Sequence, residues 1–149
     1  MQIWVDTDTC PLVIKEILFR VGENVHVPVV LVANKKMRVP TSKYIQSVKV
    51  RSGADETNRH IVQNVHSNDL VITADLPLAA KVIDKGGYAL NPRGTLYSQE
   101  NISYFLVTRE MQVNFPASKV KSVSPKVLSL SERENFTNQL DWFLTENFK

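Results

Sequence analysis

Two aspartates one residue apart, Asp6 and Asp8, stand at the end of a short apolar run, Ile3-Trp4-Val5. A third, Asp75, ends a second run of the same kind, Leu70-Val71-Ile72-Thr73-Ala74. Carboxylates gathered this way suit Mg²⁺ or Mn²⁺, hard cations that prefer oxygen ligands and keep several waters. Such a cation neutralises a phosphodiester, lowers the pKa of an attacking water and stabilises the leaving oxygen. Carboxylates crowded at one rim also repel, so a cation is needed to hold all of them ionised. Asp6, Asp8 and Asp75 are therefore the candidate catalytic and metal-holding residues. Thr73, two residues before Asp75, is a candidate hydroxyl donor to the same pocket. For any one of these acids the alternative is a helix cap.

The surrounding pattern has to bring the two junctions together. Ile3-Trp4-Val5 reads as a buried strand, and Pro11 follows where a helix begins, a position that tolerates a residue lacking an N–H. Leu12, Val13, Ile14, Ile17, Leu18 and Val21 recur at helical spacing, and Gly22 supplies a stop. Val27 to Ala33 is continuously apolar, as in a parallel strand covered on both faces. Strand, helix and strand in about 30 residues make a βαβ unit with a right-handed crossover. Ser47 to Val50 is a third short strand. Asp55 is placed to cap a helix through about Val65, or to act as a further metal ligand. After the strand Leu70 to Ala74 comes a helix from Pro77 to Lys85, ended by Gly86-Gly87, and a fifth strand, Tyr88 to Asn91. Ser98 is a reasonable N-cap for a helix through Phe115. Ser131-Glu132-Arg133-Glu134 reads as a capping box for a last helix over residues 131–147. The expected fold is α/β: one domain over residues 1–149, a five-stranded mainly parallel sheet with helices on both faces, and a C-terminal helical extension. Open sheets of this kind place ligands beyond the carboxyl ends of their strands, where Asp6, Asp8 and Asp75 all fall.

Charge suggests what those ends could meet. The chain carries a net charge of +3, with 43% apolar residues and one cysteine. The calculated pI of about 9.0 permits nucleic-acid contact without demanding it. A single cysteine excludes an internal disulfide framework, and no apolar stretch is long enough to span a bilayer. Together these features point to a cytoplasmic protein away from membranes. Asn34 to Arg51 holds six basic residues, Lys35 and Arg38 among them, and no acid. Asn34, Lys35 and Arg38 leave a strand end directly, so the segment is either a phosphate-contacting rim or a solvated loop. Asn91 ends the fifth strand, and Arg93 in the turn Asn91-Pro92-Arg93-Gly94 either forks onto a phosphate or is a solvated turn arginine. Residues 116–130 carry Lys119, Lys121 and Lys126 and read as a basic linker.

Other chemistries fit less well. His60 and His66 lack a second His or Cys at ligand spacing, which argues against zinc. Asp6-Thr7-Asp8 matches the start of the D-x-D-x-[TV] motif of haloacid-dehalogenase-like phosphatases. Cys10 stands at its last position, however, and the later motifs of those enzymes are not recognisable. Cys10 near a helix N-terminus could be a thiolate nucleophile, but no phosphate-cradling loop ending in Arg follows it.

These stretches resemble the uncharacterised bacterial YaiI/YqxD family across nearly the whole chain. The resemblance is carried by Ile3 to Pro11, Leu31-Val32-Ala33-Asn34, Arg38-Val39-Pro40 and Gly86. It extends through Leu90 to Gly94 and, above all, Asp69 to Ala79. That family is grouped with PIN-like domains. The resemblance therefore implies a three-layer α/β/α fold and a Mg²⁺- or Mn²⁺-dependent nuclease site, with RNA as the expected substrate. It equates Asp6 with the acid after the first strand and Thr73 and Asp75 with a T-x-D motif. Asp8 and Asp55 match acids typical of the family itself. Two departures stand out. Gly53 to Ile61 puts Asn58 where the family's G-x-D-x-A-D-x-x-I has its second acid, lowering the expected metal affinity. Ser122-Val123-Ser124-Pro125 replaces a T-G-G-P, losing both glycines. The competing expectation is a non-catalytic nucleic-acid-binding or regulatory module that keeps the acidic pocket.

Overall fold

The computed structural model describes residues 1–53, 55–114 and 128–148, apart from the side chains of residues 110–114. Most of the basic linker, with Lys119, Lys121, Lys126 and the Ser122 to Pro125 stretch, lies outside the described residues.

The first strand, β1 (Ile3–Asp6), is buried at all four residues. The other elements follow as α1 (Leu12–Val25), β2 (Val29–Ala33), β3 (Ile45–Lys49), α2 (Glu56–Asn64) and β4 (Leu70–Ile72). Then come α3 (Leu76–Asp84), β5 (Tyr88–Leu90), β6 (Leu96–Tyr97), α4 (Ile102–Asn114) and α5 (Leu130–Asn147). The strands form one mixed sheet in the order β3-β2-β1-β4-β5-β6. Every neighbouring pair is parallel except β5 and β6, which are antiparallel. The sheet thus has six strands, not the five expected. The extra strand, β6, closes a hairpin over the Asn91 to Gly94 turn, with the Asn91 N–H donating to the Thr95 carbonyl at 2.8 Å.

Strand alternation sorts the core. Ile3 and Val5 of β1 join Ile14 and Leu18 of α1 and Phe136, Leu140 and Phe143 of α5 in one cluster. Trp4, pointing the other way, joins Val30, Val32 and Val71 with Ile61 of α2 and Leu78 and Val82 of α3. Side chains buried this fully contribute roughly 1.5–3 kcal/mol each, which is why β1, β2 and β4 are apolar on both faces. A third cluster sets Ala79 and Ile83 of α3 and Ile102 of α4 against Ala89 and Tyr97.

Two helix starts differ from the expected ones. The last helix is opened by Ser129, whose Oγ accepts from the Glu132 N–H at 3.1 Å while Glu132 Oε1 accepts from the Ser129 N–H at 3.0 Å. Ser129 and Ser131 both precede acids at the spacing of a capping box, and the first is the one formed. The fourth helix begins at Ile102, because Asn101 Oδ1 accepts from the Ser98 N–H at 2.8 Å and holds Ser98 one turn outside.

Candidate functional site

The two aspartate-bearing junctions lie side by side because β1 pairs directly with β4. Val5 stands opposite Ile72, so the next residues, Asp6 and Thr73, meet across the strand ends. Asp6 is 1% exposed, and Thr73 is fully buried. The Thr73 hydroxyl donates to Asp6 Oδ2 at 2.7 Å and accepts from the Asp75 N–H at 3.0 Å. Thr9 does the same from the other side: its hydroxyl donates to Asp6 Oδ2 at 3.0 Å and accepts from the Ala74 N–H at 2.9 Å. Asp6 Oδ1 accepts from the Asp8 N–H at 3.1 Å. Two threonine hydroxyls therefore clamp one carboxylate to the backbone of the neighbouring junction. Burial nevertheless pushes the Asp6 carboxyl above its ordinary value, helped by the nearby Asp8 charge and opposed by the threonine hydroxyls. Thr9 was not among the expected site residues, although it ends the same D-x-D stretch.

Asp75 is held by different means. Its Oδ1 accepts from the Leu78 N–H at 3.0 Å, capping α3, and Pro77 sits in the first turn, where its missing N–H costs nothing. Its Oδ2 accepts from Asn58 Nδ2 at 2.9 Å. Asn58 is delivered by α2, so the residue that departs from the family pattern touches the acid at the end of β4.

An open cleft of about 860 Å³ passes over this junction, lined by Thr9, Asp55, Asn58, Ala74 and Asp75 together with Val62 and Leu78. Three cations also line it: Arg59 from α2, Lys81 from α3 and Arg109 from α4. None of the three was singled out from the sequence. The available signal was weak, since Arg59 follows Asp55 by one helical turn and Lys81 follows Pro77 by the same interval.

The remaining expected residues scatter. Asp8 is exposed at the rim. Asp55 precedes α2 in the left-handed region at φ 69°, and its side chain makes no capping bond, which corrects the capping expectation. Asn34, Lys35 and Arg38 are exposed beyond β2 and do not line the cleft. Asn91 accepts from the Arg93 N–H at 2.8 Å and donates through Nδ2 to the Tyr97 hydroxyl at 3.0 Å. Arg93 reaches Glu132 of α5 at 2.6 Å. That contact depends on Gly94, whose φ is 102° and where a Cβ would fall 2.7 Å from Asn135. Among the described residues, no group of three or more His, Cys, Asp or Glu side chains comes together as a metal cage. The ion pairs described, Arg59–Glu56, His66–Asp69 and Arg93–Glu132, involve none of Asp6, Asp8, Asp55 or Asp75. Burial pushes the Cys10 thiol up to about 12, so it is protonated at neutral pH and is not a thiolate nucleophile.

The "uncharacterized BCR, YaiI/YqxD family" matches residues 4–146. The chain belongs to the YaiI/YqxD family. Among its YaiI/YqxD relatives, a UPF0178 protein of Shewanella woodyi is 52% identical over 149 residues, covering 100% of this chain and 99% of that protein. A UPF0178 protein of Hahella chejuensis is 51% identical and one of Photobacterium profundum 50% identical, with the same coverage. No solved structure matches this YaiI/YqxD chain. No described helix is long and apolar enough to cross a membrane.

Proposed function

We propose that this YaiI/YqxD protein is a PIN-like, three-layer α/β/α phosphodiesterase that cleaves nucleic acid, RNA in the first place, with Mg²⁺ or Mn²⁺. The observation that supports this reading best is the pairing of β1 with β4, which sets Asp6 beside the Thr73-Ala74-Asp75 junction, whose Ala74 and Asp75 line an open cleft.

The donor chemistry fits such a cation. Asp6, Asp8, Asp55 and Asp75 offer only hard oxygen, and none is spent on an ion pair with a described residue. Mg²⁺ takes one or two carboxylates, completing its shell with waters and substrate phosphate, so a cage of three acids is not required. Asp6 and Asp75 would hold it, with Asp8 and Asp55 adding negative charge beside them. When bound, the cation supplies charge neutralisation at the phosphodiester and a water of lowered pKa. The chain's own part is positional. Thr9 and Thr73 fix the direction of the Asp6 carboxylate, while the α3 N-terminus and Asn58 fix Asp75.

A second reading, a binding or regulatory module without turnover, is favoured by one contact. The Asn58 amide gives Asp75 a donor and no negative charge, satisfying that carboxylate without a cation.

Incubating labelled RNA and DNA with Mn²⁺ separates the two readings. The nuclease reading expects cleavage by the wild type and loss of it in both Asp6→Asn and Asp75→Asn, substitutions that keep one oxygen as acceptor while removing the charge. Equal cleavage by all three proteins would assign the activity to a contaminant. Salt-sensitive binding without cleavage would favour the module.

A further inference from the structure

We propose that the cleft between α2, α3 and α4 is the track for a single-stranded polynucleotide, gripped through its phosphates by Arg59, Lys81 and Arg109 and without base selection. The inference rests on the nucleic-acid reading above and moves the polymer away from the basic segment after β2, where sequence alone would put it.

Three observations carry it. First, the cations come from three different helices, yet all line the one cleft that also contains Asp75. Lys35, Lys36 and Arg38 instead sit together in an exposed segment after β2, outside that lining. Second, the cleft sets these cations beside the acids Asp55 and Asp75, so a polyanion lying along it would pass the proposed reaction centre. Third, no aromatic side chain is among the described residues lining it. Single-strand binders that stack bases draw about 1–3 kcal/mol per base from aromatic platforms. The described apolar wall, Val62, Leu76, Pro77 and Leu78, offers no such platform, so the proposed grip runs through the phosphates.

Fluorescence anisotropy with short labelled oligouridylate and oligoadenylate, in EDTA so that nothing is cleaved, tests this directly. Each phosphate contact on a single strand contributes about −0.7 to the slope of log K against log salt. Replacing Arg59, Lys81 and Arg109 together by Gln should weaken binding at least about tenfold and flatten that slope by about 2. Replacing Lys35, Lys36 and Arg38 by Gln removes the same net charge and should change affinity by no more than about threefold, since only distant, screened charges are lost. The two oligonucleotides should bind with affinities within about threefold of one another, as expected without stacking. Thermal melts of both triple variants guard against unfolding, and a cleft variant that melts early is replaced by its three single substitutions, whose losses should add. The proposal is overturned if the loop variant loses binding while the cleft variant keeps it, or if one homopolymer is strongly preferred. Absence of wild-type binding to either oligonucleotide at low salt would instead remove the nucleic-acid reading itself.

Discussion

Two buried aspartates mark opposite ends of the same strand pair, and they are held in opposite ways. Asp69, just before β4, is 3% exposed; Asp6, ending β1, is 1% exposed. Asp69 accepts from three N–H groups: the Gln2 backbone at 2.9 Å, Trp4 Nε1 at 3.0 Å and the His66 backbone at 2.9 Å. Those donors belong to fixed backbone or to a core indole, so the carboxylate ties the start of β1 to the start of β4. Asp6 is held by two threonine hydroxyls and one backbone N–H, and burial lifts its pKa. One carboxylate fastens the chain. The other is carried ionised at a cost to stability.

That contrast can be broken by substitution. Asp69→Ala should cost the most, about 3 kcal/mol in urea unfolding, because it strands the buried Trp4 and Gln2 donors. It should leave the affinity of the folded protein for RNA unchanged; a loss below about 1 kcal/mol would mean water replaces the carboxylate easily. Thr73→Val should follow at about 1–2 kcal/mol, since it removes a donor from Asp6 and an acceptor from the Asp75 N–H. Asn58→Asp should cost about 1 kcal/mol without metal at neutral pH, from two carboxylates brought side by side. Added Mn²⁺ should reverse that loss in a thermal melt, as for any ligand that binds only the folded state. If Mn²⁺ leaves the melt unchanged, Asn58 is not what limits cation binding.

Asp6→Asn should have the smallest effect on stability, within about 1 kcal/mol, and should stabilise rather than destabilise near neutral pH. The sign follows from the raised pKa. Asp6 contributes stability in its protonated form, fully below the unfolded value of 3.8, and loses it as pH rises through the higher folded value. The advantage of the Asn variant should therefore grow with pH from about 4 and level off above the folded pKa. A flat difference between the two unfolding curves would show that Asp6 titrates like an exposed carboxylate.

The sequence revealed local features better than convergent ones. The two apolar runs ending in acids are local patterns, and so the pairing of Asp6 with the Thr73 to Asp75 junction could be anticipated. The sixth strand is two residues long and shows no alternation to recognise. Arg59, Lys81 and Arg109 come together only when three helices pack, and nothing in their separate surroundings marks them. The pairing of Arg93 is invisible in the sequence because Glu132, its partner, is 39 residues away. Serine and acid spacing permitted two capping boxes, and the pattern alone does not choose between Ser129 and Ser131.

The central claim is that a cation is held where β1 and β4 leave the sheet. Calorimetric titration of Mn²⁺ into the wild type, Asp6→Asn and Asp75→Asn tests it most directly. The account expects saturable binding to the wild type that weakens at least about tenfold in each variant, as for loss of one carboxylate ligand. Absent binding, or binding that both variants retain unchanged, would contradict it.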